Sequence, residues 1–167
     1  MKRIIAILTS LLVVAGLLNF ARQRGETSPS SLAIVHADDS KGCSLGSVAG
    51  NWGITDTGTV VGVGPRAAVG VLTLDGAGHL INGFATSSLN GAIATETFSG
   101  TYTVNANCTG TIDASIFDAS TGAEIFALTL YTAFDDKSQE LRALFTSATT
   151  PSGAQLPTVV TLTGRKQ

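Results

Sequence analysis

The chain has 167 residues, enough for one domain with accessories, and 44% of them are hydrophobic, enough for a buried core. Only 13% are charged, about half the usual ~25%; the formal net charge is −2 and no basic cluster lies in the body of the chain. That composition leaves no electrostatic case for binding nucleic acid.

The first stretch is not read as part of the fold. Met1-Lys2-Arg3 is a basic start, and Ile4 to Ala21 is almost wholly apolar. The pattern is that of a secretory leader, or of an uncleaved anchor close to the ~20 residues that span a bilayer. Arg22 and Arg24 follow it directly, which is awkward for export because positive charge tends to stay inside. Val35-His36-Ala37 fits a small-x-small cleavage site, and cleavage after Ala37 is the favoured reading. The chain then divides into a leader with linker, 1–37, and a single domain, 38–167. Asp-Ser-Lys-Gly before Cys43 is no lipobox. From Asp38 onward six basic and eleven acidic side chains leave a net charge of −5. The expectation is a mildly acidic exported protein, periplasmic or extracellular, that meets a membrane only through an uncleaved leader.

Residues 22–42 are polar and turn-rich, as a linker or processing segment would be, and the domain opens at Cys43. Ser47 to Ile54 is the first strand, extended by Thr59–Val63 after a bend at Gly58. Ala67–Leu74 is the second, and Asp75-Gly-Ala-Gly78 turns it, with the Asp-Gly pair supplying the positive φ of a tight hairpin. His79–Ser88 is the third, closed by Asn90-Gly91, the strongest short hairpin signal in the chain. Ala92–Val104 is the fourth, with a bulge at Ser99-Gly100. Thr109–Phe117, Ala123–Phe134, Gln139–Ser147 and Thr158–Gly164 complete the set. No stretch after the leader keeps a helical period. Eight short strands joined by turns predict an all-β fold, an eight-stranded antiparallel up-and-down meander barrel, with a β-sandwich as the alternative.

Several segments together resemble a family of small exported bacterial proteins of unknown function. They are Cys43-Ser-Leu, Gly62-Val-Gly-Pro65, Ala68 to Gly78, Ser88-Leu-Asn-Gly91, Gly100 to Asn105 with Cys108 to Thr111, and the ending Gly164-Arg-Lys-Gln167. That resemblance implies export and an all-β fold, and no activity. Separately, Gly50-Asn51-Trp52 resembles the Gly-x-Trp opening of the lipocalin and avidin barrels of calycin type, which implies a ligand inside the barrel. Trp52 is first a core aromatic plugging one barrel end, and second a ligand-stacking residue.

Catalytic chemistry has little to work with. After Ala37 the one histidine is His79, beside a turn, and no Gly-x-Ser-x-Gly elbow is present. Two distant cysteines and one histidine do not make a zinc pattern. No catalytic residue, metal or cofactor is assigned, and an enzyme is the less favoured class, conceivable as an isomerase or cyclase needing only a shaped pocket. Glu96, Asp113, Glu124 and Arg142 fall within strands. Any of them facing inward must be paired, and one beside Tyr102 or Tyr131 would orient a ligand.

Trp52, Tyr102, Tyr131 and Arg142 are therefore the candidate ligand-binding residues. The leading function is an exported barrel that binds a small apolar ligand or another macromolecule. The alternative is a structural or envelope-associated interaction module with a solid core. A barrel interior without a cavity of at least ~300 Å³, the lower end for ligand pockets, removes the ligand-binding reading and leaves the second. The eight side chains Leu72, Leu74, Phe84, Phe98, Tyr102, Phe126, Leu128 and Leu144 are those available to fill the interior. Export and a single possible pairing predict a Cys43–Cys108 disulfide. Strands apolar on both faces predict a homo-oligomer.

Overall fold

A computed structural model describes residues 42–167; the leader and its cleavage after Ala37 lie outside the described residues. Eight strands form one closed barrel in sequence order: β1 (Gly50–Val60), β2 (Gly64–Leu74), β3 (His79–Leu89), β4 (Ala92–Val104), β5 (Thr109–Asp118), β6 (Glu124–Phe134), β7 (Glu140–Thr149) and β8 (Thr158–Lys166). Each is antiparallel to the next, and β8 returns to pair with β1 from Trp52↔Lys166 to Val60↔Thr158. Closure leaves no sheet edge, so the barrel holds and the sandwich does not.

The period of two decides which side chains fill the barrel. On β1 these are Trp52, Ile54, Asp56 and Val60; on β6, Leu128, Leu130, Thr132 and Phe134; all are buried. Phe84 and Leu144, expected inside, point outward and are 46% and 47% exposed. They fall on the even-numbered phase of strands whose odd-numbered phase, Ala85 and Ser87 or Ala143 and Phe145, is buried.

Three local expectations are corrected. Residues 47–48 are not strand: Leu45–Val48 forms a one-turn helix, α1. Ser44 and Ser47 cap it reciprocally, each side chain accepting the other's backbone N–H, which is the capping box. Thr59–Val63 does not run on as strand either, because β1 ends at Val60 and 61–63 turn into β2. The bulge lies not at Ser99-Gly100 but across from it. Leu80 pairs with Gly100 and Gly83 with Phe98, so β3 carries the extra residue. Asn82 takes it up at φ 52°, a left-handed conformation that asparagine tolerates.

Turn chemistry sets the two ends. Asn90 (φ 51°) and Gly91 (φ 88°) form the tight β3–β4 hairpin their sequence predicts. In the β2–β3 turn the positive φ falls on Gly78, at 96°, rather than on the Asp-Gly pair. Gly78, Cys108 and Ser138 close three turns alike at one end of the barrel, all with positive φ. That end is sealed by α1. Val48 is fully buried, Trp52 donates its indole N–H to the Val48 carbonyl at 3.0 Å, and Phe134 meets the Trp52 ring edge-on at 5.8 Å. The Cys43–Cys108 disulfide pins α1 to the β4–β5 turn.

Candidate functional site

The opposite end is open. Its connections, 61–63, 90–91, 119–123 and 150–157, contain no Lys, Arg, Asp or Glu. Between them lies a cavity of about 240 Å³ walled by apolar side chains, chiefly Val60, Phe126, Phe145, Leu156 and Val160, with Arg66 at its base. Beyond Arg66 a void of about 50 Å³ continues into the barrel, lined by Asp56, Glu96 and core residues such as Leu72, Phe98 and Ile112. Neither reaches ~300 Å³, so no ligand of drug size is enclosed within the barrel. The mouth is instead a half-open recess.

Arg66 is 8% exposed, Asp56 6% and Glu96 4%. β1 and β2 place Gly58 opposite Arg66 and Ala68 opposite Asp56, so Asp56 and Arg66 are diagonal neighbours on the inner face. Two forks result. Nε and Nη2 of Arg66 donate to the Asp56 oxygens, each at 3.2 Å, while Nη1 and Nη2 donate to Glu96 at 3.1 and 3.0 Å. Ser87 adds a 2.7 Å hydrogen bond to Glu96. The guanidinium also stands 5.6 Å from the centre of the Phe126 ring, within cation–π range. Burial pushes the Asp56 carboxyl above its ordinary value, and the Arg66 charge and hydrogen bonds only partly oppose that.

Two carboxylates against one guanidinium make a cluster that carries −1 when both acids are ionised. Such clusters are weak stabilisers, since apolar residues of similar volume often do as well. A cluster of this kind at the base of an apolar recess has the composition of a binding site: greasy walls with a few convergent polar groups.

Comparison with known proteins returned no matching family model and no matching curated protein. Among solved structures, a redesigned β-barrel bound to DFHBI is similar at 17% identity, over 74% of this chain and 98% of that one, with a TM-score of 0.46. The S-type phycobiliprotein lyase of Guillardia theta is similar at 8% identity, over 74% and 90% of the two chains, with a TM-score of 0.43. Likeness of that degree says nothing about function.

The four residues expected to hold a ligand do not meet in one cavity. Trp52 and Tyr102 are buried at the sealed end. The Tyr102 hydroxyl lies against the carbonyls of Leu45 and Asp75, and its pKa is pushed up to about 12 by burial and by the Asp75 charge. Tyr131, 51% exposed, and Arg142 are on the outer wall. Arg142 lines a shallow outer groove with Val69, Val71, Phe84 and Arg165. Of the four charged strand residues singled out, Glu96 alone points inward. Asp113 accepts a hydrogen bond from Thr129 on the outside, and Glu124 and Arg142 are exposed. Asp56 and Arg66 were missed. The available signal was phase: Asp56 is in step with Trp52 and Ile54, and Arg66 with Leu72 and Leu74.

Proposed function

We propose that the protein is an exported binding module whose mouth accepts the apolar end of a small molecule, rather than a carrier that encloses a ligand. The reading takes 1–37 as leader and 38–167 as the working domain; the disulfide is compatible with export. One observation carries it: an apolar recess of about 240 Å³, open to solvent, is floored by the buried Asp56–Arg66–Glu96 cluster. Taking ~30 Å³ per water in the liquid, that volume is about eight waters' worth. Expelling such water from apolar walls is favourable at about 25 cal/mol per Å² buried. Because neither space reaches ~300 Å³, the reading gives up a ligand inside the barrel and is confined to the open mouth.

The test is a titration with 1-octanol followed by methyl NMR. Shifts confined to Val60, Val63, Leu156 and Val160 support the mouth as the site. Shifts spread over the outer wall around Val69 and Val71, or none, would sink it. Native mass spectrometry of protein purified from its own host would show whether a small molecule accompanies it.

A further inference from the structure

We propose that the group entering the mouth is electrically neutral, an apolar chain or ring ending in a single hydrogen-bond acceptor such as a hydroxyl or carbonyl oxygen, and that the Asp56–Arg66–Glu96 cluster excludes acids and amines. This rests on the mouth being the binding site.

Arg66 has almost no donors to spare. A guanidinium has five N–H groups. Four are committed: one from Nε and one from Nη2 to Asp56, one from Nη1 and one from Nη2 to Glu96. A carboxylate or phosphate is recognised by arginine through a two-pronged fork, and both forks are already filled by the protein's own acids. One N–H of Nη1 is left over. That suits one neutral oxygen and no more.

Charge gives the same answer. The cluster carries −1 with both acids ionised and 0 with one protonated; no protonation state of these acids near neutral pH short of losing both charges makes it positive. An incoming anion would give up its water and gain no net attraction. Nothing else on the elements around the cluster offsets this. β3 contributes Ser87, β6 Phe126 and Leu128, β7 Phe145, β8 Val160 and Leu162, none of them ionisable at neutral pH. At the rim the nearest charged positions by sequence are Asp118 and Glu124, flanking the 119–123 connection, and both repel anions.

A cation fares no better. Asp56 and Glu96 line the inner void but not the mouth, where Arg66 is the charged side chain presented. The net −1 and the rim acids draw an ammonium, but at the mouth it would give up its water against the Arg66 guanidinium, whose spare N–H a donor-only group cannot accept. The other polar groups there are the Thr150 and Thr158 side chains on the rim, which suit a neutral ligand equally well.

The experiment compares 1-octanol, octanoate and octylammonium, three probes with one tail, at pH 7 by the same methyl shifts. Octanol should bind at least about tenfold more tightly than either ion, the scale set by desolvating an unpaired charge. Octanoate or octylammonium binding at the mouth as tightly as octanol would overturn the inference and leave the mouth reading standing. If none of the three moves the mouth methyls, the mouth reading fails and this inference with it. A second arm uses D56N/E96Q, which leaves the Arg66 charge uncompensated, and octanoate should then overtake octanol. Should that double variant not fold, E96Q alone should narrow the gap between octanol and octanoate. An octanoate affinity unchanged in the variant that folds would show that the cluster is not what excludes acids, and would overturn the proposal.

Discussion

At the residue scale, Asp56 and the turn aspartates act in opposite senses on the stability curve. Burial raises the folded-state pKa of Asp56 above the ~3.9 of an unfolded chain. Between those values the folded state binds the extra proton, so stability falls as pH rises through that window and levels off above it. Asp75, Asp118 and Asp135 have lowered values. Asp75 is held down by hydrogen bonds from His79, Asp135 by the Glu140 N–H, and Asp118, at about 2, by the Ser120 hydroxyl and the Thr121 N–H. Their contribution is present above about pH 4 and is lost as pH falls through the folded values. The natural protein should therefore be most stable on the acid side of neutrality. Asp56→Asn should abolish the decline from pH 4 upward while keeping the loss at lower pH. Urea midpoints for both proteins from pH 3 to 7 test this, and parallel profiles above pH 4 would refute the assignment to Asp56.

At the element scale the weak piece is α1. Four residues cannot sustain a helix alone, and α1 is held from outside by the disulfide, by the Trp52 indole and by Lys166, whose Nζ donates to the Ser47 carbonyl at 3.0 Å. The cysteines are 65 residues apart, for which chain entropy gives up to about 4 kcal/mol. Replacing both by serine should lower unfolding free energy by about 2–4 kcal/mol. It should also release α1 before the barrel melts, seen as a red shift of Trp52 fluorescence at denaturant levels where the far-ultraviolet dichroism of the strands persists. Two reactive thiols in unfolded, unreduced protein would show that the bond is not formed. The strands themselves were legible, because period-two runs between turn residues carry their own signal. The helix was not, because one turn has no period, and neither was the bulge, because Asn82 is an ordinary strand polar until its partner register is known. The cluster escaped for a related reason. Asp56, Arg66 and Glu96 sit on three different strands, and only the barrel register brings them together.

At the scale of the whole molecule, apolar surface is left over. A barrel buries one face of each strand, yet β2 and β3 are apolar on both. Val69 is 62% exposed, Phe84 46%, Val71 43% and Ile81 39%. Val71 pairs directly with Phe84 and Thr73 with Ile81, so these side chains form one continuous stripe on the outer wall. The stripe borders the shallow groove of about 710 Å³ that reaches Arg142 and Arg165. Contiguous apolar surface of this kind usually marks an interface, and the closed barrel has no edge through which copies could pair by strands. Self-association should therefore run wall to wall and be broken by a charge in the stripe. Sedimentation at micromolar concentration should give a dimer or larger species for the natural protein, and a monomer for Phe84→Glu. Phe84 is half exposed, so the substitution should leave the urea midpoint nearly unchanged. Because the stripe lies on the wall and the recess at the open end, 1-octanol should bind dimer and monomer alike. A natural protein that sediments as a monomer and does not change on dilution would refute the interface, and octanol binding that disappears with Phe84→Glu would mean that the wall, not the mouth, holds the ligand.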